Sequence, residues 1–164
     1  MKRTAFFFVL FSLILLMAAC SSIDCPLNDM VLMRCGFFSH RGDSVSIADT
    51  ITISIKPTTA ELDPVVVNKL TQKHWFTLPL SYKEREDEYY LHIWGEDYDL
   101  YDTIRVTKES APHFESPDCS PRFFHTITNV WVTHNAIDSI GLNHKTVDYD
   151  NTQTHLKIYL HSSY

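Results

Sequence analysis

Residues 154–161 read Thr-His-Leu-Lys-Ile-Tyr-Leu-His, and this alternation is the narrowest constraint on what the chain folds into. Leu156, Ile158 and Leu160 fall on one side and His155, Lys157, Tyr159 and His161 on the other, the period of two expected of a half-buried strand. Residues 44–56 repeat the pattern, with Val45, Ile47, Ile51, Ile53 and Ile55 set against Ser46, Thr52, Ser54 and Lys56. Further strands are expected at 30–38, 74–80, 89–94, 100–107, 123–134 and 136–142. Pro57 ends the second strand, and Pro64 opens a short β-branched run, Val65-Val66-Val67. Residues 83–88 are charged and read as a loop. Residues 109–122 hold Pro112, Pro117 and Pro121 and read as a long irregular connection. No window carries a helical period with caps. About seven to eight short strands with turn chemistry between them predict an all-β fold: a single antiparallel β-sandwich, immunoglobulin-like, over residues 30–164.

A different segment precedes that domain. Lys2 and Arg3 lead into an apolar run over residues 6–17, which ends in Ala18-Ala19-Cys20. The run is about a dozen residues, short of the roughly 20 needed to span a bilayer. The order of basic start, apolar stretch and small residues is that of a helical secretory signal segment. Its end resembles a bacterial lipobox, with Met17 in place of the usual leucine. Residues 1–19 are therefore expected to be a lipoprotein signal peptide, Cys20 the lipidated first mature residue, and 20–29 a tether.

With Lys2 and Arg3 removed, 12 basic residues face 20 acidic ones, a formal charge of −8. That sign offers no electrostatic footprint for nucleic acid or for an anionic bilayer surface. Three thiols remain after Cys20, and outside the inner membrane an oxidised pair is expected. Cys25 lies in the tether and Cys119 in the loop Ser116-Pro117-Asp118-Cys119-Ser120-Pro121, both free to approach each other. Cys35 sits in an apolar stretch where a small buried side chain fits. Cys25 with Cys119 is the favoured pairing and Cys35 with Cys119 the alternative.

Motifs of chemistry are few. Asp43-Ser44-Val45, Asp49-Thr50-Ile51, Asp102-Thr103-Ile104 and Asp138-Ser139-Ile140 repeat a short pattern. The bland explanation is an Asp that bonds backbone at a strand start. The pattern also resembles the acceptor of the O-glycosylation system of Bacteroidota, which makes Ser44, Thr50, Thr103 and Ser139 candidate acceptors. Glu96, Asp97, Asp99 and Asp102 crowd one expected hairpin tip; Asp97, Asp99 and Asp102 are candidate calcium ligands, although the spacing is not that of an EF-hand. Arg41-Gly42-Asp43 spells a tripeptide read by integrins, here at a turn where chance recurrence explains it. Nine histidines show no zinc spacing, since His155 and His161 stand about 20 Å apart on a strand. His134 with His144, and His113 with His125, are the pairs the turns bring nearest. Four glycines build no phosphate-cradling loop, and no nucleophile elbow is present. Trp75, Trp94 and Trp131 become informative if exposed, because a line of rings on one face would suit a sugar.

Taken whole, the mature chain resembles a family of uncharacterised lipoproteins of Bacteroidota, a domain of unknown function. The resemblance rests on Cys25 soon after the lipid cysteine, Phe76-Thr77-Leu78-Pro79-Leu80-Ser81, Asp102-Thr103-Ile104-Arg105-Val106, the Cys119 loop, and His155-Leu156-Lys157-Ile158-Tyr159. It implies an envelope lipoprotein with a sandwich-like domain and a disulfide from tether to late loop, and it brings no catalytic residues. The functional expectation is a non-enzymatic, cofactor-free protein anchored to the outer membrane through Cys20, facing the periplasm or the cell surface, with an envelope protein partner. Binding of a glycan or small ligand is the alternative, and a metal-dependent hydrolase a weaker one.

Overall fold

The computed structural model describes Cys25 and residues 30–55 and 64–161. Over these residues the chain forms ten strands and no helix: β1 (Leu32–Phe37), β2 (Thr50–Ile55), β3 (Val65–Leu70), β4 (Trp75–Pro79), β5 (Glu86–Trp94), β6 (Asp99–His113), β7 (Arg122–Val132), β8 (Ile137–Leu142), β9 (Thr146–Val147) and β10 (Leu156–Leu160). They build a four-stranded sheet, β4-β1-β10-β8, and a six-stranded sheet, β3-β2-β5-β6-β7-β9.

The two sheets close on one core because each strand buries alternate residues. Met33, Cys35 and Phe37 of β1, Phe76 and Leu78 of β4, and Leu156 and Ile158 of β10 face Ile51 and Ile53 of β2, Tyr89, Leu91 and Ile93 of β5, and Ile104 and Val106 of β6. Each large apolar side chain so buried stabilises the fold by about 1.5–3 kcal/mol. Burial also drives the Cys35 thiol far above its usual range, so it stays protonated and inert.

Ten strands, not seven or eight, correct the expectation, and the sandwich is not purely antiparallel. β1 pairs in parallel with β10, from Cys35 opposite Leu156 to Phe37 opposite Ile158. The parallel pair is sealed by His155, expected on the outer side of its strand but fully buried. Its Nδ1 accepts the Arg34 N–H at 2.9 Å and its Nε2 donates to the Thr146 carbonyl at 3.1 Å. Burial lowers its pKa, and the neutral tautomer serves both bonds.

Three other boundaries moved. Residues 44–49 form no regular strand; Ile47 is buried and makes one bridge to Lys73 while the chain crosses between sheets. Gly42, with φ +91°, makes the preceding turn possible. Glu86 to Glu88 join β5 because each has a partner on β6. β6 continues to His113, through Pro112. β5 pairs only as far as Thr107, and one further bond joins the Lys108 N–H to the Arg85 carbonyl, so Pro112 lies beyond that pairing on a stretch where a proline is tolerated. The irregular connection is thereby reduced to residues 114–121, and Cys119 within it is bonded to Cys25, with Cα atoms 5.7 Å apart.

Candidate functional site

The outward positions of β5 and β6 alternate with the core residues just named, and they gather rings. Register sets His92 opposite Tyr101, Trp94 opposite Asp99, and Glu88 opposite Arg105. His92 stacks on Tyr101 with centroids 4.3 Å apart and planes 6° from parallel, and meets Trp94 at 4.5 Å. The Asp99 carboxylate holds the His92 Nε2. On β7, Trp131 stands opposite Arg105, whose guanidinium lies 4.6 Å over the indole while its Nε donates to Glu88 at 3.1 Å. Tyr101 is 58% exposed and Trp131 46%. Arg105 lies four positions after Tyr101 in β6, about 13 Å along the strand.

The tight turn after β5 completes the patch. The Gly95 N–H donates to the Tyr98 carbonyl at 3.1 Å, and a Cβ on Gly95 would meet the Tyr98 ring at 2.9 Å, so any larger residue there has to displace that ring. An open cleft of about 440 Å³ is lined by His92, Trp94, Gly95, Glu96, Asp97, Tyr98 and Asp99. Flat rings fixed beside carboxylates can cover an apolar face of a ligand and accept bonds from its hydroxyls.

The acidic hairpin does not assemble as a cation site. Asp102 is 3% exposed and its oxygens are taken: Oδ1 accepts from the Thr133 hydroxyl (2.6 Å) and the Asn135 N–H (2.9 Å), Oδ2 from the N–H groups of Ala136 (2.7 Å) and Ile137 (2.8 Å). Asp99 serves His92, and Asp97 stays at the exposed tip. Among the described residues no three His, Cys, Asp or Glu side chains are placed to hold a metal. His134 binds the carbonyls of Ile137 and Asp138, whereas His144 packs beside His155. His113 pairs with Glu115, and His125 turns inward to Ser110.

Of the four hydroxyls in the Asp-hydroxyl pattern, Ser44 is exposed in the turn region, while Thr50 in β2, Thr103 in β6 and Ser139 in β8 are half-buried within strands. Asp138 does accept from the hydroxyl of its neighbour Ser139, at 3.1 Å. Cys20 lies outside the described residues. Trp75 is exposed on the other sheet, with Arg34 4.0 Å over its ring.

A second polar group lies inside the sandwich, unforeseen in the sequence. Lys108 is 1% exposed; its ammonium reaches Asp87 Oδ2 at 2.7 Å and the Glu84 carbonyl at 2.8 Å. Burial raises the Asp87 carboxyl, with the Lys108 contact opposing it. Ser110 and His125 face each other across β6 and β7, with Oγ and Nδ1 2.8 Å apart. Burial and then the Lys108 charge push His125 down to about 4, so it is a neutral structural partner at physiological pH. Lys108 continues the inward-facing alternation of Ile104 and Val106, but a lysine at that position reads as the end of the strand until its partners Asp87 and Glu84 are placed.

A two-layered β-sandwich with a ring-lined outer face is the class that fold and site define. The chain belongs to a family of unknown function (DUF6452), whose model matches residues 50–160 and so takes in β2 to β10 and the candidate face. No curated protein and no solved structure matches it.

Proposed function

We propose that this protein is a non-catalytic binding module of the outer membrane, anchored through lipid on Cys20, and that it takes a saccharide chain across the outer face of its six-stranded sheet. The observation that carries the reading is the ring group Trp94, His92 and Tyr101 with Asp99 beside it, continued by Trp131 under Arg105. Rings offer apolar area to a sugar plane, and the fixed carboxylates and guanidinium offer partners to its hydroxyls. The sequence taken alone favours a protein partner; the exposed rings shift the weight to a glycan. A protein on the same face is the second reading, favoured by Arg105 laid on Trp131, because Trp, Tyr and Arg dominate the energetics of interfaces. An immunoglobulin-like relationship is likewise a proposal, supported by the two packed sheets rather than by strand number.

The test uses the mature chain with Cys20→Ser, titrated with neutral and uronic-acid-containing oligosaccharides while tryptophan fluorescence and heat are recorded. Saturable binding that weakens tenfold or more in Tyr101→Ala with Trp131→Ala, at unchanged urea midpoint, supports the saccharide reading. No response to any oligosaccharide, with one stoichiometric protein cross-linked to the lipidated chain in its membrane through this face, replaces it by the second. Metabolic labelling with palmitate that persists in Cys20→Ser removes the anchor.

A further inference from the structure

We propose that the end of the sandwich carrying the Cys25–Cys119 disulfide rests on the bilayer, with Met30, Tyr82 and Phe114 seated in its interfacial layer, and that the ring-lined face is thereby held away from the membrane. This inference rests on the lipid-anchor reading of Cys20.

The first argument is reach. Five peptide units join Cys20 to Cys25 and extend at most about 18 Å. The disulfide ties Cys25 to the loop at residues 114–121, so that loop stays within the same short distance of the acyl chains. Without the bond the leash would run on to β1, more than twice as far.

The second argument is topology. Leu32 opposes Pro79, Glu86 opposes Thr107, and His113 opposes Arg122. The start of β1, the end of β4, the start of β5, the end of β6 and the start of β7 therefore share one end of the molecule. Met30, Tyr82 and Phe114 all belong to it, and they are 60%, 55% and 61% exposed. Tyr82 is backed by Phe123, stacked at 4.6 Å, and Phe124 by His113 and Tyr149. An apolar tip backed by rings matches the amphipathic interface of a bilayer, where aromatic residues concentrate.

Charge is not what draws this end to a membrane: Lys83, Arg85, Lys108 and Arg122 stand against Glu84, Glu86, Asp87, Glu109, Glu115 and Asp118, so the seating rests on the exposed apolar side chains and the short tether at this end. β6 then runs fifteen residues away from it, which sets Tyr101 and the turn at Gly95 up to about 45 Å from the docked end.

Brominated lipid supplies the test, because it quenches only tryptophans within the bilayer. The natural Trp75, Trp94 and Trp131 all lie on the far half, opposite Gly36, Asp99 and Arg105. The full lipidated protein is reconstituted into phosphatidylethanolamine–phosphatidylglycerol vesicles with and without bromine, as wild type and as Phe114→Trp. The expected result is little quenching of the wild type and loss of at least half of the added signal in the variant. Strong quenching of the wild type, or a Phe114→Trp signal untouched by bromolipid in vesicle-bound protein, overturns the proposal. A signal shielded from both bromolipid and aqueous acrylamide means that protein covers this end, and overturns it too. An intact mass without acyl groups on Cys20, and no vesicle binding, shows instead that the anchor reading has failed and takes the docking with it.

Discussion

Asp102 shows how much one side chain decides. Its carboxylate receives three backbone N–H groups and a hydroxyl from the turn between β7 and β8, so it caps that turn from near the start of β6. Asp102→Ala would leave the N–H groups of Ala136 and Ile137 buried without partners, at about 1–3 kcal/mol each, and with the two partly exposed bonds also lost should cost at least about 3 kcal/mol in urea unfolding. Asp97→Asn, at the exposed tip, should stay within about 0.5 kcal/mol. Calcium should raise the melting temperature of neither protein; a rise lost in Asp97→Asn would restore the cation reading. His125 governs a different response. Its folded pKa of about 4 lies below its ordinary 6.5, so the fold favours the neutral ring. The stability it contributes is complete above pH 6.5 and is lost as the pH falls toward 4. Asp87 acts in the opposite sense, because burial raises its carboxyl and its contribution is lost as the pH rises. Urea midpoints should therefore decline from pH 6.5 to 4, and less steeply in His125→Asn. A flat profile in the wild type would show that His125 is not held neutral by its surroundings.

At the scale of elements, β6 carries most of the surprise. β2 and β10 were legible because apolar and polar residues alternate without interruption, and a half-buried strand needs nothing else. The C-terminal half of β6 was not, because Lys108, Glu109, Ser110 and Pro112 look like loop residues until β7 and the inward-turned Asp87 supply their partners. The parallel pairing of β1 with β10 left no trace either, since register between distant strands is set by the packed core and not by local pattern. The site was half visible: Trp94 and Trp131 were singled out by type, whereas His92, Tyr101 and Arg105 joined them only through cross-strand register. The Lys108–Asp87 pair can be tested as a unit. Lys108→Met strands a buried carboxylate and should cost about 3–5 kcal/mol, whereas Lys108→Met with Asp87→Asn keeps an acceptor for the Ser81 N–H and should recover much of the loss. Additive losses in the cycle would mean that the two charges do not sense each other.

For the molecule as a whole, the Cys25–Cys119 bond joins two roles that separate experiments can pull apart. It closes a sequence separation of 94 residues, and in the chain-entropy model a loop of that size raises stability by up to ~4.7 kcal/mol by constraining the unfolded chain. Cys25→Ser with Cys119→Ser should lower the urea midpoint accordingly. Cys35 cannot substitute for either partner, being buried in the core with its thiol held protonated. Under the proposed anchor on Cys20, the same variant also removes the short tie to the late loop, while every residue of the ring-lined face stays in place. Below the melting temperature, oligosaccharide affinity should therefore match that of the wild type, and bromolipid quenching of Phe114→Trp should fall. If affinity and quenching fell together, the bond would be shaping the domain itself. If only quenching fell, the disulfide would be what orients the folded module on the membrane proposed for it.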